Sequence, residues 1–328
     1  MNDNGFLWYR LVCAPGFGAK SVHYLLEHML QQGLTLSDLF VQEEAELQRR
    51  FPAIGQGKLS RARFANLLDA GREEQLWAEY EALVDQGVAL IGLDDPRYPP
   101  LVRQRLGDEA PPLLYAKGPL GLLQQPGLAI AGARDVAEAE LAIARAVAQA
   151  AAASGFNVVS GYAKGVDTAA HLGALQADGT TTCVLSFGLN HLSLKDVLQE
   201  QRWERNALFV SQFAPWEKFS GANAMTRNRL ICALSWALVV VKAGPEKDAE
   251  GRMSGTFNAG ASALELGLPL WVLHPDRLAS PVPGNAALIE RGGQPFGSTE
   301  EVAQRLAALE PPSKPPQAPS AGEQMSLF

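Results

Sequence analysis

Between residues 126 and 296 the chain alternates short, continuously apolar runs with longer amphipathic stretches. The apolar runs lie at residues 128–133, 157–160, 181–186, 207–213, 237–242 and 269–273. Runs that stay apolar, rather than alternating with polar residues, suit strands buried on both faces of a parallel sheet. Helical patterns separate them, including the alanine-rich residues 137–153, stopped by Gly155. Strand–helix repetition of this kind predicts an α/β fold with a Rossmann-like, doubly wound, mostly parallel sheet. Residues 6–75 have a different rhythm. Trp8, Leu11 and Val12 lead into Pro15-Gly16-Phe17-Gly18, and then Val22, Leu25, Leu26 and Met29 follow at helical spacing. Two helices around a glycine turn predict a small all-helical domain of the SAM or helix-hairpin-helix kind. Gly55-Gln56-Gly57-Lys58 reads as a degenerate second copy of the turn.

The expected organisation is a helical domain (1–75), an extended connector (76–125), a Rossmann-like domain (126–309) and a disordered tail (310–328). The connector is inferred from Tyr98-Pro99-Pro100-Leu101 and Pro111-Pro112-Leu113. The tail is rich in proline, alanine and serine and too polar to fold alone.

Composition narrows the function classes. With 47% apolar residues in 328, a full core can be buried. A formal net charge of −7 argues against indiscriminate binding to polyanions, but a local basic groove stays compatible with it. Cys13, Cys183 and Cys232 show neither zinc spacing nor a disulfide framework, which suits a reducing cytoplasm. The polar start, Met1-Asn2-Asp3-Asn4, lacks a basic leader pattern, and no apolar run approaches a membrane span. A cytoplasmic protein with no metal and no cofactor is expected.

The candidate chemistry sits in loops that follow the strands. Ser160-Gly161-Tyr162-Ala163-Lys164-Gly165-Val166-Asp167 joins an apolar strand to a helix containing His171. Free amides and glycines at such a junction suit a phosphate, and a tight turn that needs glycine for its φ angles is the other reading. Asp167 is a candidate helix cap, and His171, four residues on, is a candidate structural partner on the same face. Gly132-Ala133-Arg134 follows the first strand. Thr226-Arg227-Asn228-Arg229 follows the fourth. With Thr226 as cap, both arginines would lie in the first turn, where the helix dipole disfavours cations by roughly 0.3–1 kcal/mol each. Such placement asks for a negative partner, either a ligand phosphate or a carboxylate of the chain itself. Ser254-Gly255-Thr256 suits a phosphate nest or a plain serine cap equally. No nucleophile–base set and no carboxylate pair emerges, so no catalytic residue is assigned.

Taken in order, these motifs resemble the DNA-processing protein A (DprA/Smf) family. The resemblance is carried by Gly132-Ala133-Arg134, by Ser160-Gly161 through Asp167 with Ala170-His171, and by Gly179-Thr180 through Gly188-Leu189. It continues through Arg227-Asn228-Arg229-Leu230-Ile231, Ser254-Gly255-Thr256 and Gly284-Asn285, and covers roughly residues 8–296. It implies an extended Rossmann fold, a non-enzymatic mediator, single-stranded DNA as ligand, delivery of that DNA to the RecA recombinase, and a homodimer. By position, Gly132, Arg134, Ser160, Gly161, Lys164, Gly165, Arg227, Asn228, Arg229, Ser254, Gly255 and Thr256 become the expected DNA-phosphate contacts.

The chain departs from the family pattern at Ser211-Gln212, at Lys242, at Asn190-His191-Leu192 and in the long excursion 244–252. Many members of the family carry a winged-helix-like C-terminal domain; in its place a short helix near 300–309 and the tail are expected here. That tail ends in Gln324-Met325-Ser326-Leu327-Phe328, which resembles a bacterial sliding-clamp binding peptide. A disordered tether carrying an apolar Leu-Phe end, with glutamine setting register, suits such docking. The alternative reading is a nucleotide-binding enzyme or sensor of the lysine-decarboxylase-like phosphoribohydrolase type. Its usual catalytic glutamate has no match here, because Glu265 lies nine residues past Thr256.

Overall fold

A computed structural model describes residues 3–41, 45, 46, 49, 61–196, 203–280 and 282–309. The second glycine turn (55–58) and the tail peptide (324–328) lie outside the described residues. The chain divides into two compact units between Ala116 and Lys117.

The first unit holds α1 (Asn4–Val12), α2 (Ala19–Gln31), α3 (Leu36–Val41), α4 (Arg61–Leu68), α5 (Glu73–Asp85), β1 (Ala89–Gly92), α6 (Pro100–Leu106) and β2 (Leu113–Lys117). Asp3 caps α1, its carboxylate accepting from the Gly5 amide at 2.8 Å. The turn between α1 and α2 uses Gly16 at φ 86°, a conformation open to glycine at no steric cost. Phe6, Trp8, Tyr9 and Leu11 bury α1 almost all round, with Phe6 edge-on to Trp77 at 4.8 Å.

The proline-rich segment is more ordered than an extended connector. β1 and β2 pair antiparallel, Ala89 opposite Ala116 and Gly92 opposite Leu113, with α6 between them. Pro100 starts α6 at a position whose N–H would have no helical partner anyway. The Tyr98 hydroxyl donates to the Pro111 carbonyl at 2.7 Å and closes the loop. Prolines that punctuate the sequence thus set a helix start and a turn here.

The second unit is the expected α/β fold. It runs β3 (Gly127–Ala131), α7 (Glu138–Ala153), β4 (Asn157–Ser160), α8 (Val166–Gln176), β5 (Thr181–Val184), α9 (Trp203–Asn206), β6 (Ala207–Ser211) and α10 (Gly221–Ala233). It continues with β7 (Ala237–Val240), α11 (Gly255–Glu265), β8 (Leu270–Leu273), α12 (Pro283–Glu290), β9 (Gln294–Phe296) and α13 (Thr299–Ala307). Its strands lie in the order β6-β5-β4-β3-β7-β8-β9, and the pairs are parallel. β4, β5, β6, β7 and β8 are buried at every residue, which is why they read as unbroken apolar runs. β9 escaped that reading: it is an edge strand of Gln294, Pro295 and Phe296, with two of its residues exposed.

The strand order fixes where a ligand can sit. From β3 the chain winds outward through β4, β5 and β6, then returns to β7 on the other side of β3. The helices flanking β3 and β7 therefore leave on opposite faces, and a crevice opens beyond the carboxyl ends of these two strands.

Candidate nucleic-acid interface

A cleft of about 410 Å³ occupies that position. Ala131, Gly132, Ala133 and Arg134 after β3 form one wall. Gly161, Ala163 and Asp167 after β4 form the next. α10 contributes Gly221, Ala224, Met225, Arg227 and Asn228, with Phe219 just ahead of it. Gly244 after β7 and Ser254, Gly255 and Thr256 at the start of α11 complete it. The sequence motifs from four separate strand ends thus converge on one space.

The loop after β4 is held from beneath. His171 is fully buried, with Nε2 2.6 Å from the Gly161 carbonyl and Nδ1 2.7 Å from the Thr181 hydroxyl. A carbonyl can only accept, so the proton sits on Nε2; the Thr181 hydroxyl, beside Nδ1, also donates to the Val158 carbonyl at 2.8 Å. Burial depresses the His171 pKa to about 4, which keeps the ring neutral. The Ser160 hydroxyl is also interior and donates to the Ile130 carbonyl at 2.6 Å. Ser160 therefore ties β4 to β3 and does not offer its hydroxyl to the cleft.

Asp167 does not cap α8. The cap position belongs to Gly165, at φ 78°, and Asp167 lies in the first turn. Its Oδ2 accepts from the Ala163 amide at 3.2 Å, across the loop. The carboxyl is buried, which pushes its pKa up, while the Arg227 guanidinium opposes that shift. The expected Asp167–His171 pairing gives way to these separate partners.

Thr226 is likewise not a cap. α10 begins a turn and more earlier, where the Ser220 hydroxyl accepts from the Asn223 amide at 3.0 Å. Ser220 precedes alanines that favour helix, so the helix nucleates there and runs through Thr226. Arg227 and Arg229 consequently lie beyond the first turn, and the dipole argument does not apply to them. Arg227 is only 7% exposed, and its Nη1 donates to the Val184 carbonyl at 3.0 Å. Its Nε has no hydrogen-bond partner among the described residues. Arg229 points elsewhere, into an ion pair with Glu265 at 3.0 Å, and it is not among the cleft residues.

Several glycines here are set by close approach. A Cβ on Gly161 would run into Arg227 and Asp167, and one on Gly132 would strike Val166. A Cβ on Gly165 would meet the Ala133 and Arg134 carbonyls. Gly255 differs, with nothing within 4 Å of the position its Cβ would take. Ser254 caps α11 by accepting from the Phe257 amide at 3.3 Å. Asn228 donates to the Gly255 carbonyl at 2.9 Å and so joins α10 to the start of α11. Fully buried Asn285 joins the neighbouring strand ends, donating to Val241 and Leu273 carbonyls and accepting from the Ala243 amide.

Of the expected phosphate contacts, Arg134 and Lys164 are the exposed cations. Arg134 also lies over the Phe219 ring, 5.6 Å from its centroid. Phe219 was not singled out from the sequence; its signal is an aromatic residue beside Lys218, just ahead of the Ser220 cap. Lys195 was also missed. It donates to the Ala163 carbonyl and the Thr168 hydroxyl, both at 2.8 Å, and pins the same loop from a distant segment. Lys242, where the chain departs from the family pattern, is buried 3.7 Å from Glu140, whose Oε1 also accepts from the Ala279 amide.

No helix among the described residues is long and apolar enough to cross a membrane. Structural similarity is extensive. The X-ray structure of DNA processing protein A from Streptococcus pneumoniae matches with a TM-score of 0.72 and 26% identity, covering 95% of this chain and all of that one. DNA processing protein A from Helicobacter pylori, solved for its single-stranded DNA binding mode, matches with a TM-score of 0.55 and 26% identity over 67% of this chain and 96% of that one. Protein Smf of Synechocystis is 34% identical over 180 residues, which are 52% of this chain and 44% of that protein. The sequence profile described as DNA recombination-mediator protein A matches residues 89–307. The chain belongs to this DprA/Smf family of DNA recombination mediators.

Proposed function

We propose that the cleft between the β3 and β7 ends binds the backbone of single-stranded DNA. The observation that carries this reading is the convergence of exposed Arg134 and the start of α11 on one cleft at the sheet's switch point. The likeness to the Helicobacter pylori protein, whose single-strand binding mode was determined, supports it. In this reading Arg134, Lys164, Gly255 and Thr256 meet phosphate, through side chains and amide groups. Gly132, Ser160, Gly161, Gly165 and Ser254 shape the loops, while Arg227 and Asn228 hold the cleft's far wall. Arg229 sits outside, on the Glu265 side.

The role is binding, without turnover. Among the described cleft residues the one carboxylate is Asp167, which is buried and bonded to the Ala163 amide. A hydrolase of nucleoside monophosphates needs a carboxylate that reaches its substrate. We further propose that the bound strand is handed to RecA, that the protein acts as a homodimer in the cytoplasm, and that Gln324, Met325, Leu327 and Phe328 dock on the polymerase sliding clamp.

A salt-dependent oligonucleotide titration of the full chain, with and without RecA and the clamp, tests this. Affinity should fall steeply as salt rises, because phosphate contacts release counterions. Removing residues 324–328 should abolish clamp binding and leave DNA affinity intact. Undetectable single-strand binding at low salt, or base release from nucleoside monophosphates, would sink the reading.

A further inference from the structure

Phe219 is 53% exposed and Trp216, in the same loop, is 50% exposed. The backbone of this loop is tied to neighbouring segments. The Gly188 amide donates to the Glu217 carbonyl at 2.8 Å, and the Asn190 amide to Pro215 at 3.0 Å. His191 Nε2 lies 2.8 Å from the Trp216 carbonyl. The Asn223 side chain donates to the Glu217 carboxylate at 2.8 Å. These bonds tie down the backbone of the loop that presents both rings to solvent. Phe219 borders the cleft, with the Arg134 guanidinium 5.6 Å from its centroid and exposed Lys218 next to it in sequence.

A planar apolar surface flanked by cations fits a ligand that alternates planar and anionic groups. An apolar protein partner would leave Arg134 and Lys218 to be desolvated without compensation. A duplex keeps its base faces stacked on one another. Single-stranded nucleic acid supplies both groups at once, a free base face and a phosphate.

We propose that Phe219 is a stacking platform for one nucleobase at the mouth of the cleft, with Arg134 holding the adjoining phosphate. This rests on the cleft being the single-strand site.

The two contributions separate by their salt dependence. Stacking is insensitive to counterion release, whereas each phosphate contact adds to the slope of log affinity against log salt. The test is titration of labelled oligothymidylate, and of an abasic strand of equal length, against the full chain and three variants. Phe219→Ala should bind oligothymidylate roughly tenfold more weakly, with an unchanged salt slope. Phe219→Tyr should retain wild-type affinity. The abasic strand should not distinguish Phe219→Ala from wild type. Arg134→Ala should lower the slope by about one. Equal affinity of wild type and Phe219→Ala for oligothymidylate overturns the platform while leaving the cleft reading intact. Failure of the wild-type protein to bind any strand overturns the cleft reading itself. Unchanged thermal melting of Phe219→Ala, expected for a half-exposed ring, keeps folding out of the comparison.

Discussion

The Gly161 carbonyl accepts a 2.6 Å hydrogen bond from Nε2 of His171. This bond attaches the loop after β4 to the core of the sheet, where burial keeps the ring neutral. An exposed histidine in the unfolded chain takes up its proton near pH 6.5, while His171 holds out to about 4. Between these values the unfolded state binds more protons, so stability falls as pH falls. The contribution is fully present above pH 6.5 and decreases by on the order of 3 kcal/mol as pH drops to about 4. Urea denaturation at pH 7 and at pH 4.5 should show this loss in the wild type and a smaller one in His171→Gln.

Asp167 and Arg227 face each other beneath the cleft, both nearly inaccessible to solvent. Removing only the negative member leaves a buried guanidinium uncompensated, at a cost of roughly 3 kcal/mol. Asp167→Asn should therefore lower the denaturant midpoint markedly. The double variant Asp167→Leu with Arg227→Met should be less destabilised than Asp167→Asn. If the double variant is the worse of the two, the pair is not electrostatically coupled.

Two glycines of the cleft should respond oppositely to alanine. In Gly161→Ala the new methyl group falls on the buried pair, so stability should fall by about 1–3 kcal/mol and DNA affinity with it. Gly255→Ala meets open space, at the start of a helix where alanine is acceptable. It should melt with the wild type. Calorimetry of both variants checks the contrast.

The arginines should separate in the same way. Arg229→Ala removes a partly exposed ion pair with Glu265, worth about 0–1 kcal/mol, and should leave the DNA salt slope unchanged. Arg134→Ala should alter the slope and leave stability unchanged. Oligonucleotide titrations at three salt concentrations would reveal any reversal of these roles.

Much of this was legible in the sequence. Strands buried on both faces announce themselves as apolar runs, and the glycine-bearing loops after them marked the walls of the cleft. What stayed hidden depends on partners far away in the chain. Arg227 looked like a helix-start cation because Thr226 is as plausible a cap as Ser220, and only packing decides between them. The residues that neutralise and hydrogen-bond it, Asp167 and Val184, lie on other elements. Phe219 gave no periodic signal, since a single exposed ring in a loop has none. β1, α6 and β2 were obscured by prolines, which here start a helix and close a turn.

The switch between β3 and β7 also bears on how the molecule is made. The walls of the cleft come from residues 131 to 259, so synthesis must pass α11 before the site can close. A nascent chain that has only reached β7 already carries Arg134, the loop after β4 and Arg227, but no α11 to face them. Ligand capture therefore belongs to a late stage of folding, after the sheet has turned back across its first strand. Fragments cut between β7 and α11 should keep much of the sheet's sequence and bind no strand.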